Sequence, residues 1–378
     1  MRITDVQVDQ LRVPVRYPLH EKDAYAPVVL LRLITDDGRV GTAASTHPQP
    51  ESLAAFCRHT LAPQVIGMDP RRPTQLRSKL LVKTSQRSVQ GVWSRAASLL
   101  DVACWDLKGL AAGEPIWRLL GGARSTVQTY VTFGLASYSQ DELCEAGRLL
   151  VAAGHKGLKM VVGAGSSASG DDLFGLPSDD DVVRDAQRVA ALREAVGPSV
   201  KLMIDANKNF TLPQALRLSK LVEDLDLTWF EDPILMADAR LMGELRRRTD
   251  LAIAAGGLGT GDVVYMREYI EHRAVDVIQP NVRDIGGYTG ALATAHLAEA
   301  YNMAVGMGGS EPHLNIHLYG AIAMDGPVEY HIQGWEFAKK LYSGLPEPED
   351  GLVRLTEEPG LGLILREDAV AEFRVETH

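Results

Sequence analysis

The rhythm of the chain after about residue 125 leaves few folds open. Seven short apolar runs follow one another there: "VQTYVTFG", "GLKMVV", "VKLMIDAN", "LTWFED", "LAIAAGG", "VDVIQPN" and "MAVGMGG". Segments with apolar residues at helical spacing separate them, such as "DDVVRDAQRVAALREAV" and "TLPQALRLSKLVEDL". Strand and helix alternating about every 25 residues is the mark of parallel βα units. Seven such units and a returning strand near "PVEYHI" predict a closed barrel rather than an open sheet. No glycine-rich dinucleotide fingerprint follows the first of these strands, which argues against a Rossmann arrangement. The stretch Gly163–Asp180, "GAGSSASGDDLFGLPSDD", is longer than a barrel loop needs and reads either as a flap or as an irregular excursion.

Ahead of the barrel, "ITDVQVDQLRV" alternates like a strand, and "PVVLLRLITDDGRVGTAAS" reads as a hairpin turning at "DDG". Helical patterns follow as far as Gly121 and Gly122, which mark a helix stop and a domain boundary. The 378 residues, 46% hydrophobic and 23% charged, are enough for a large core in two domains. A net charge of −10 spread along the chain argues against a nucleic-acid partner. Cys57, Cys104 and Cys144 have no CxxC spacing, so neither a thiolate metal site nor a disulfide framework is indicated. The N-terminus lacks the apolar core of a signal peptide, and no apolar run approaches the roughly 20 residues of a membrane span. A cytoplasmic protein without membrane contact is the expectation.

Parallel barrels place active groups at the C-terminal ends of their strands. In this chain those ends carry Lys159, Asp205 with Asn207, Glu231 with Asp232, the uncharged Gly257 and Leu258, Asn281, and Gly308 with Gly309. Carboxylates on two consecutive strands form a hard oxygen site suited to Mg²⁺. The plainer alternative is that each acid caps the helix after its strand.

With "SLLDVACWDLKGLAAGEPIWRLLGG", "GLKMVVG", "LMIDAN", "WFEDP", "VDVIQPNVRDIGG" and "PGLGLILREDAVAEF" in order, the chain resembles the enolase superfamily. The likeness is to its mandelate racemase, muconate lactonizing enzyme and acid-sugar dehydratase branch. That resemblance implies a (β/α)7β TIM-like barrel under an N-terminal α+β capping domain. The cap would span residues 1–124, completed by the tail at about 331–378, and the barrel 125–330. It also implies Mg²⁺ held by three carboxylates and abstraction of the proton α to a substrate carboxylate, where the cation stabilises the developing negative charge. Asp205 matches the first metal ligand and Glu231 the second. The third position falls on Leu258 or Gly257, neither of which can ligate through its side chain, so Mg²⁺ binding should be weakened. The family's paired lysines reduce to Lys159, with Val161 in the second place. Its aspartate–histidine pair becomes Asn281 and Gly309 (or Gly308).

Lys159 is therefore the candidate catalytic residue, as a base with a lowered pKa or as an electrostatic stabiliser. Glu329 matches a glutamate that touches the substrate carboxylate, and Asn207 suits a substrate contact. Asn281, His313, Tyr25 and His47 complete the candidate substrate-binding set. His313 also reads as a helix-start core histidine, and Tyr25 and His47 as solvated loop residues. Lys208 reads as snorkelling to solvent. Burying Asp205 and Glu231 together without a metal calls for a compensating lysine, and Lys159 is nearest in strand order. The expected function is a lyase or isomerase (dehydratase, epimerase or cycloisomerase) acting on a hydroxy acid, sugar acid or lactone, in a homo-oligomer. The alternative is a non-catalytic descendant that binds a small acid or serves a structural role.

Overall fold

The computed structural model describes residues 1–19, 24–84, 90–135, 137–164, 176–256 and 263–376. Three antiparallel strands open the chain in spatial order, β1 (Ile3–Val15), β2 (Ala24–Thr35) and β3 (Val40–Thr46). β2 is apolar almost throughout because both of its faces are covered. Successive side chains of a strand point to opposite sides. Val29, Leu31 and Leu33 accordingly join the main core with residues of the helix Val92–Ala112, while Val28 and Leu30 pack with Phe337, Ala338 and Leu341. That second layer, with Val370 of the helix Glu367–Phe373, brings the C-terminal tail back onto the sheet.

Eight parallel strands follow: β4 (Thr126–Gly134), β5 (Gly157–Val161), β6 (Lys201–Asp205), β7 (Leu227–Glu231), β8 (Ile253–Ala255), β9 (Val277–Ile278), β10 (Ala304–Val305) and β11 (Val328–His331). Each pairs with its neighbour in sequence, and β11 returns to pair with β4. The ring closes where the Met307 amide donates to the Pro327 carbonyl at 3.1 Å. A helix follows each of the first seven strands, which makes the (β/α)7β barrel. Local sequence starts these helices. Ser139 with Glu142 and Ser178 with Asp181 form reciprocal capping boxes, and Pro312 takes the first turn of its helix.

Alternation along the strands also sets the barrel interior. Tyr130, Met203, Trp229 and Ala254 form a separate apolar cluster inside the ring. Two residues further along the same faces stand Thr132, Asp205 and Glu231, above that floor and toward the C-terminal mouth. None of the described helices is long and apolar enough to cross a membrane. The three cysteines are buried and free.

The helix Pro312–Ala321 buries both of its histidines. Burial lowers the His317 pKa to about 4, while Nε2 contacts the Leu361 carbonyl at 3.2 Å. The unfolded ring keeps a value near 6.5. As pH falls through 6.5 toward 4, the unfolded chain takes up a proton that the folded chain refuses, so stability is lost over that window. Buried Asp101 and Asp106, raised to about 7 and about 6 mainly by burial, act with the opposite sign. They are common to the native protein and a His317→Leu variant. The variant's stability deficit measured by urea unfolding should therefore shrink by about 2 kcal/mol between pH 8 and pH 4.5. A deficit that does not change with pH would place the ring in water.

Candidate functional site

The C-terminal mouth of the barrel holds a cavity of about 230 Å³ lined by Lys159, Asp205, Asn207, Glu231 and Glu329. Register brings these side chains together. Lys159 on β5 pairs with Thr132 on β4, and Asp205 on β6 pairs with Glu231 on β7. On β11, Glu329 and His331 pair with Tyr130 and Thr132. A larger hollow of about 460 Å³ lies beside Met236–Arg240 and Tyr265, but none of its described charged lining residues is buried.

Lys159 is 1% exposed, and its Nζ stands among three carboxylates. Glu231 Oε1 lies at 2.6 Å, Asp205 Oδ2 at 3.1 Å and Glu329 Oε1 at 3.1 Å. Burial alone would lower its pKa, but Asp205, Glu231 and Glu329 outweigh that and hold it well above the usual lysine value. This corrects the expectation of a lysine with a lowered pKa: a base must shed its proton, and this ammonium is held in place by three anions. Stabilisation of negative charge is the role open to it.

The carboxylates have other partners as well. Asp205 Oδ1 accepts the Asn207 amide at 2.8 Å. Glu231 Oε2 accepts Trp229 Nε1 at 3.0 Å and Gln279 Nε2 at 2.9 Å. Thr132 Oγ1 donates to Glu329 Oε1, and the Gly309 amide to Glu329 Oε2. Burial pushes the Glu231 carboxyl up against the pull of Lys159. Burial would also raise Glu329, but Lys159, His331 and the bonds from Thr132 and Gly309 bring it below the usual value. The two glutamates diverge because the negative charges of Asp205, Glu329 and Asp232 add to burial in raising Glu231, whereas every neighbour named for Glu329 lowers it.

Arg283 also lines the mouth. Its Nε lies 3.3 Å from Asp284 Oδ2, and its Nη1 lies 3.5 Å from Glu311 Oε1 and donates to Thr46 Oγ1 at 3.2 Å. Glu311 in turn accepts the Thr46 amide at 2.7 Å, so this buried network ties the end of β3 to the barrel mouth. His331 ends β11 and caps the helix Ile332–Leu341: its Nδ1 accepts the Gln333 amide at 3.2 Å. Burial lowers its pKa despite the nearby Glu329. A neutral ring with Nδ1 engaged as acceptor carries its proton on Nε2, so His331 is a hydrogen-bond donor.

Four candidate residues stand elsewhere. His313 is fully buried, with Nε2 at 3.3 Å from the Ala44 carbonyl and its ring edge-on to Phe337, so it is a core histidine and not a cavity residue. Tyr25 is 44% exposed under the Arg12 guanidinium, 3.8 Å from its ring centre. His47 does not line the cavity; its Nδ1 accepts the Gln49 amide. Asn281 is buried behind the mouth, where it donates to Asp284 Oδ2 and accepts from Asn315 Nδ2. The aliphatic reach of Lys208 ends 4.0 Å from Asp232 Oδ2, so it pairs with an acid and does not simply snorkel. Gly257, Leu258 and residues 165–175 of the long insert lie outside the described residues. Sequence reasoning passed over Trp229, Gln279, Thr132, Arg283 and His331. The signal for three of them was the two-residue step: Trp229 precedes Glu231, His331 follows Glu329, and Thr132 follows Tyr130 on one strand face.

Two family models match, one for the mandelate racemase / muconate lactonizing enzyme N-terminal domain over residues 2–121 and one for the enolase C-terminal domain-like fold over 142–369. The chain belongs to the mandelate racemase / muconate lactonizing enzyme family of the enolase superfamily. Among curated relatives, a D-galactonate dehydratase family member from Streptomyces bingchenggensis is 30% identical, over 92% of this chain and 90% of its own length. An arabinonate dehydratase from Saccharolobus solfataricus is 27% identical over the same shares. Among solved structures, an L-talarate dehydratase from Polaromonas sp. JS666, complexed with Mg and L-glucarate, superposes with a TM-score of 0.84 at 28% identity. The match covers 99% of this chain and 98% of that one.

The donor set decides whether magnesium suits this chain. Mg²⁺ asks for a near-octahedral shell of oxygens at about 2.0–2.1 Å. Here all six oxygens of Asp205, Glu231 and Glu329 already have partners, and a lysine ammonium stands among them. Among the described residues, no group of three or more His, Cys, Asp or Glu is arranged to hold a metal ion. The described residues do not fit the cation that several of the solved neighbours hold.

Proposed function

We propose that this protein is a lyase or isomerase that acts at the carbon α to the carboxylate of a hydroxy acid, a sugar acid or its lactone. The convergence of Lys159, Asp205, Glu231 and Glu329 on one buried mouth carries this reading. The relatives' printed activities, arabinonate and L-talarate/galactarate dehydratases among them, support the substrate class. Removing an α-proton drives negative charge onto the substrate carboxylate, and charge-stabilising groups must already be in place to meet it. Arg283 and Lys159 supply positive charge at the mouth, and His331 offers a neutral donor for a substrate hydroxyl or carbonyl oxygen. Among the described residues Glu231 has three donors and Glu329 three, whereas Asp205 has one on each oxygen. Asp205 thus keeps the most open lone pairs and is the proton acceptor in this reading. Any magnesium binding is weak, since the third carboxylate position is Leu258 or Gly257.

A binding-only descendant is the second reading, favoured by one observation. The two positions where the family carries its bases hold Val161 and Gly309 (or Gly308), none of which accepts a proton. Incubation with a panel of aldonic and aldaric acids and their lactones in D2O, followed by proton NMR, separates the two. The enzyme reading expects deuterium at the α-carbon or loss of water with at least one acid. It also expects a fall of at least about a hundredfold in Asp205→Asn. Saturable binding of an acid with no exchange and no product would establish the binding-only descendant.

A further inference from the structure

We infer that the ammonium of Lys159 is the resident cation of this mouth, standing at the point where three carboxylates converge, so that the site is organised without a divalent metal. This goes beyond the proposed reaction and does not depend on it. The first support is position. Anionic side chains from three strands, β6, β7 and β11, meet at a single Nζ, and the nearest oxygen is 2.6 Å away. The lysine stem is enclosed between the paired strands, with Thr132 and Met203 as its register partners, and Nζ faces the Tyr130 ring at 5.5 Å.

The second support is saturation. Lys159 alone leaves two of three negative charges unbalanced, which on its own would still attract a divalent ion. Five neutral donors take up that charge where it lies: the Asn207 amide, Trp229 Nε1, Gln279 Nε2, Thr132 Oγ1 and the Gly309 amide. Hydrogen bonds to ionised acceptors are roughly twice as strong as neutral ones. A metal coordinated by Asp205 and Glu231 would have to displace both the ammonium and some of these donors. Crowding adds a third support. A side chain at Gly308 would meet Glu231 Oε1 at 2.6 Å and Gln279 Nε2 at 2.8 Å, so the Gly308 backbone lies close to the same oxygen that Lys159 holds and leaves it little room to reorient.

Titration calorimetry with MgCl2 and MnCl2, together with thermal melting in EDTA and in excess metal, tests this on the native protein and on Lys159→Ala. The native protein should show no saturable heat at millimolar metal and a melting point indifferent to EDTA. Lys159→Ala, stripped with EDTA, should melt lower and recover when Mn²⁺ is added, with affinity at least about tenfold above the native protein. Lys159→Arg, which keeps a cation, should behave like the native protein. Micromolar Mg²⁺ binding by the native protein, with a metal-dependent melting point, would overturn the inference whether or not either variant folds. Absence of any metal gain in a folded Lys159→Ala would overturn it too. Neither result would touch the α-exchange assay, so failure here and failure of the proposed reaction are separable.

Discussion

Arg283→Met is expected to lower the stability of the protein by about 3–5 kcal/mol, the usual consequence of leaving a buried charge without its partner. The guanidinium reaches Asp284, Glu311, Thr46 and Ser310 from one position. Without it Asp284 keeps Arg95, whose Nε lies 2.7 Å from Oδ1, but Glu311 is left buried with no hydrogen-bond donors among the described residues beyond the hydroxyls of Ser45 and Thr46 and the Thr46 amide. Thr46 and Ser310 line the cavity, so the loss should also weaken binding of small acids by at least about tenfold, close to 1.4 kcal/mol. Arg283→Lys should recover only part of the stability, because an ammonium cannot reproduce the fork that serves several acceptors at once. Urea unfolding measures the first effect and calorimetry with a bound acid the second. A cost below about 1 kcal/mol, the range of an exposed ion pair, would mean that the network is solvated.

Gly309→Ala should destabilise the fold by about 3 kcal/mol through overpacking. A methyl group there would meet Asn281 Nδ2 at 1.8 Å and Cγ at 2.5 Å. Asn281 cannot swing aside cheaply, since it bonds Asp284, Asn315 and the Arg283 amide. Asn281→Ala alone should cost about 1–3 kcal/mol for the partners it strands. The double variant should cost at least about 1 kcal/mol less than the sum, because the second change removes the obstacle that the first one meets. Strict additivity in that cycle would mean that the two positions do not touch. The contact also gives a physical reason why this chain has Asn281 and Gly309 together: with the amide lying across position 309, a histidine has no space.

Much of the architecture was legible because it follows from periods. Short apolar runs buried on both faces, separated by amphipathic helices with capping boxes such as Ser139 with Glu142, read directly as βα units. Strand ends are placed by the same count, which is why Lys159, Asp205 and Glu231 were nameable as mouth residues, whereas Glu329 followed only from the resemblance to the enolase superfamily. What the linear pattern hides is which lone pair meets which donor. Gln279 reaches Glu231 from just past the end of β9, two strands away, and the Gly309 amide reaches Glu329 from the loop after β10. Neither contact has a signature in its own neighbourhood. Lys159 as the compensating cation follows from strand order, but its pKa does not: a dry site lowers a lysine pKa, whereas three carboxylates within 3.1 Å raise it, and their number is a property of the fold alone. His313 was ambiguous because a helix-start histidine near a mouth and one in the adjoining core differ by a rotation that no local residue specifies.

The lysine-centred mouth is tested most directly by a crystal structure of the native protein grown in millimolar MnCl2, with anomalous scattering collected to locate manganese. Lys159 Nζ should stand among Asp205, Glu231 and Glu329, with no anomalous peak within coordination distance of Asp205 and Glu231. A manganese ion bound by those two carboxylates, with the lysine turned away from them, would contradict it.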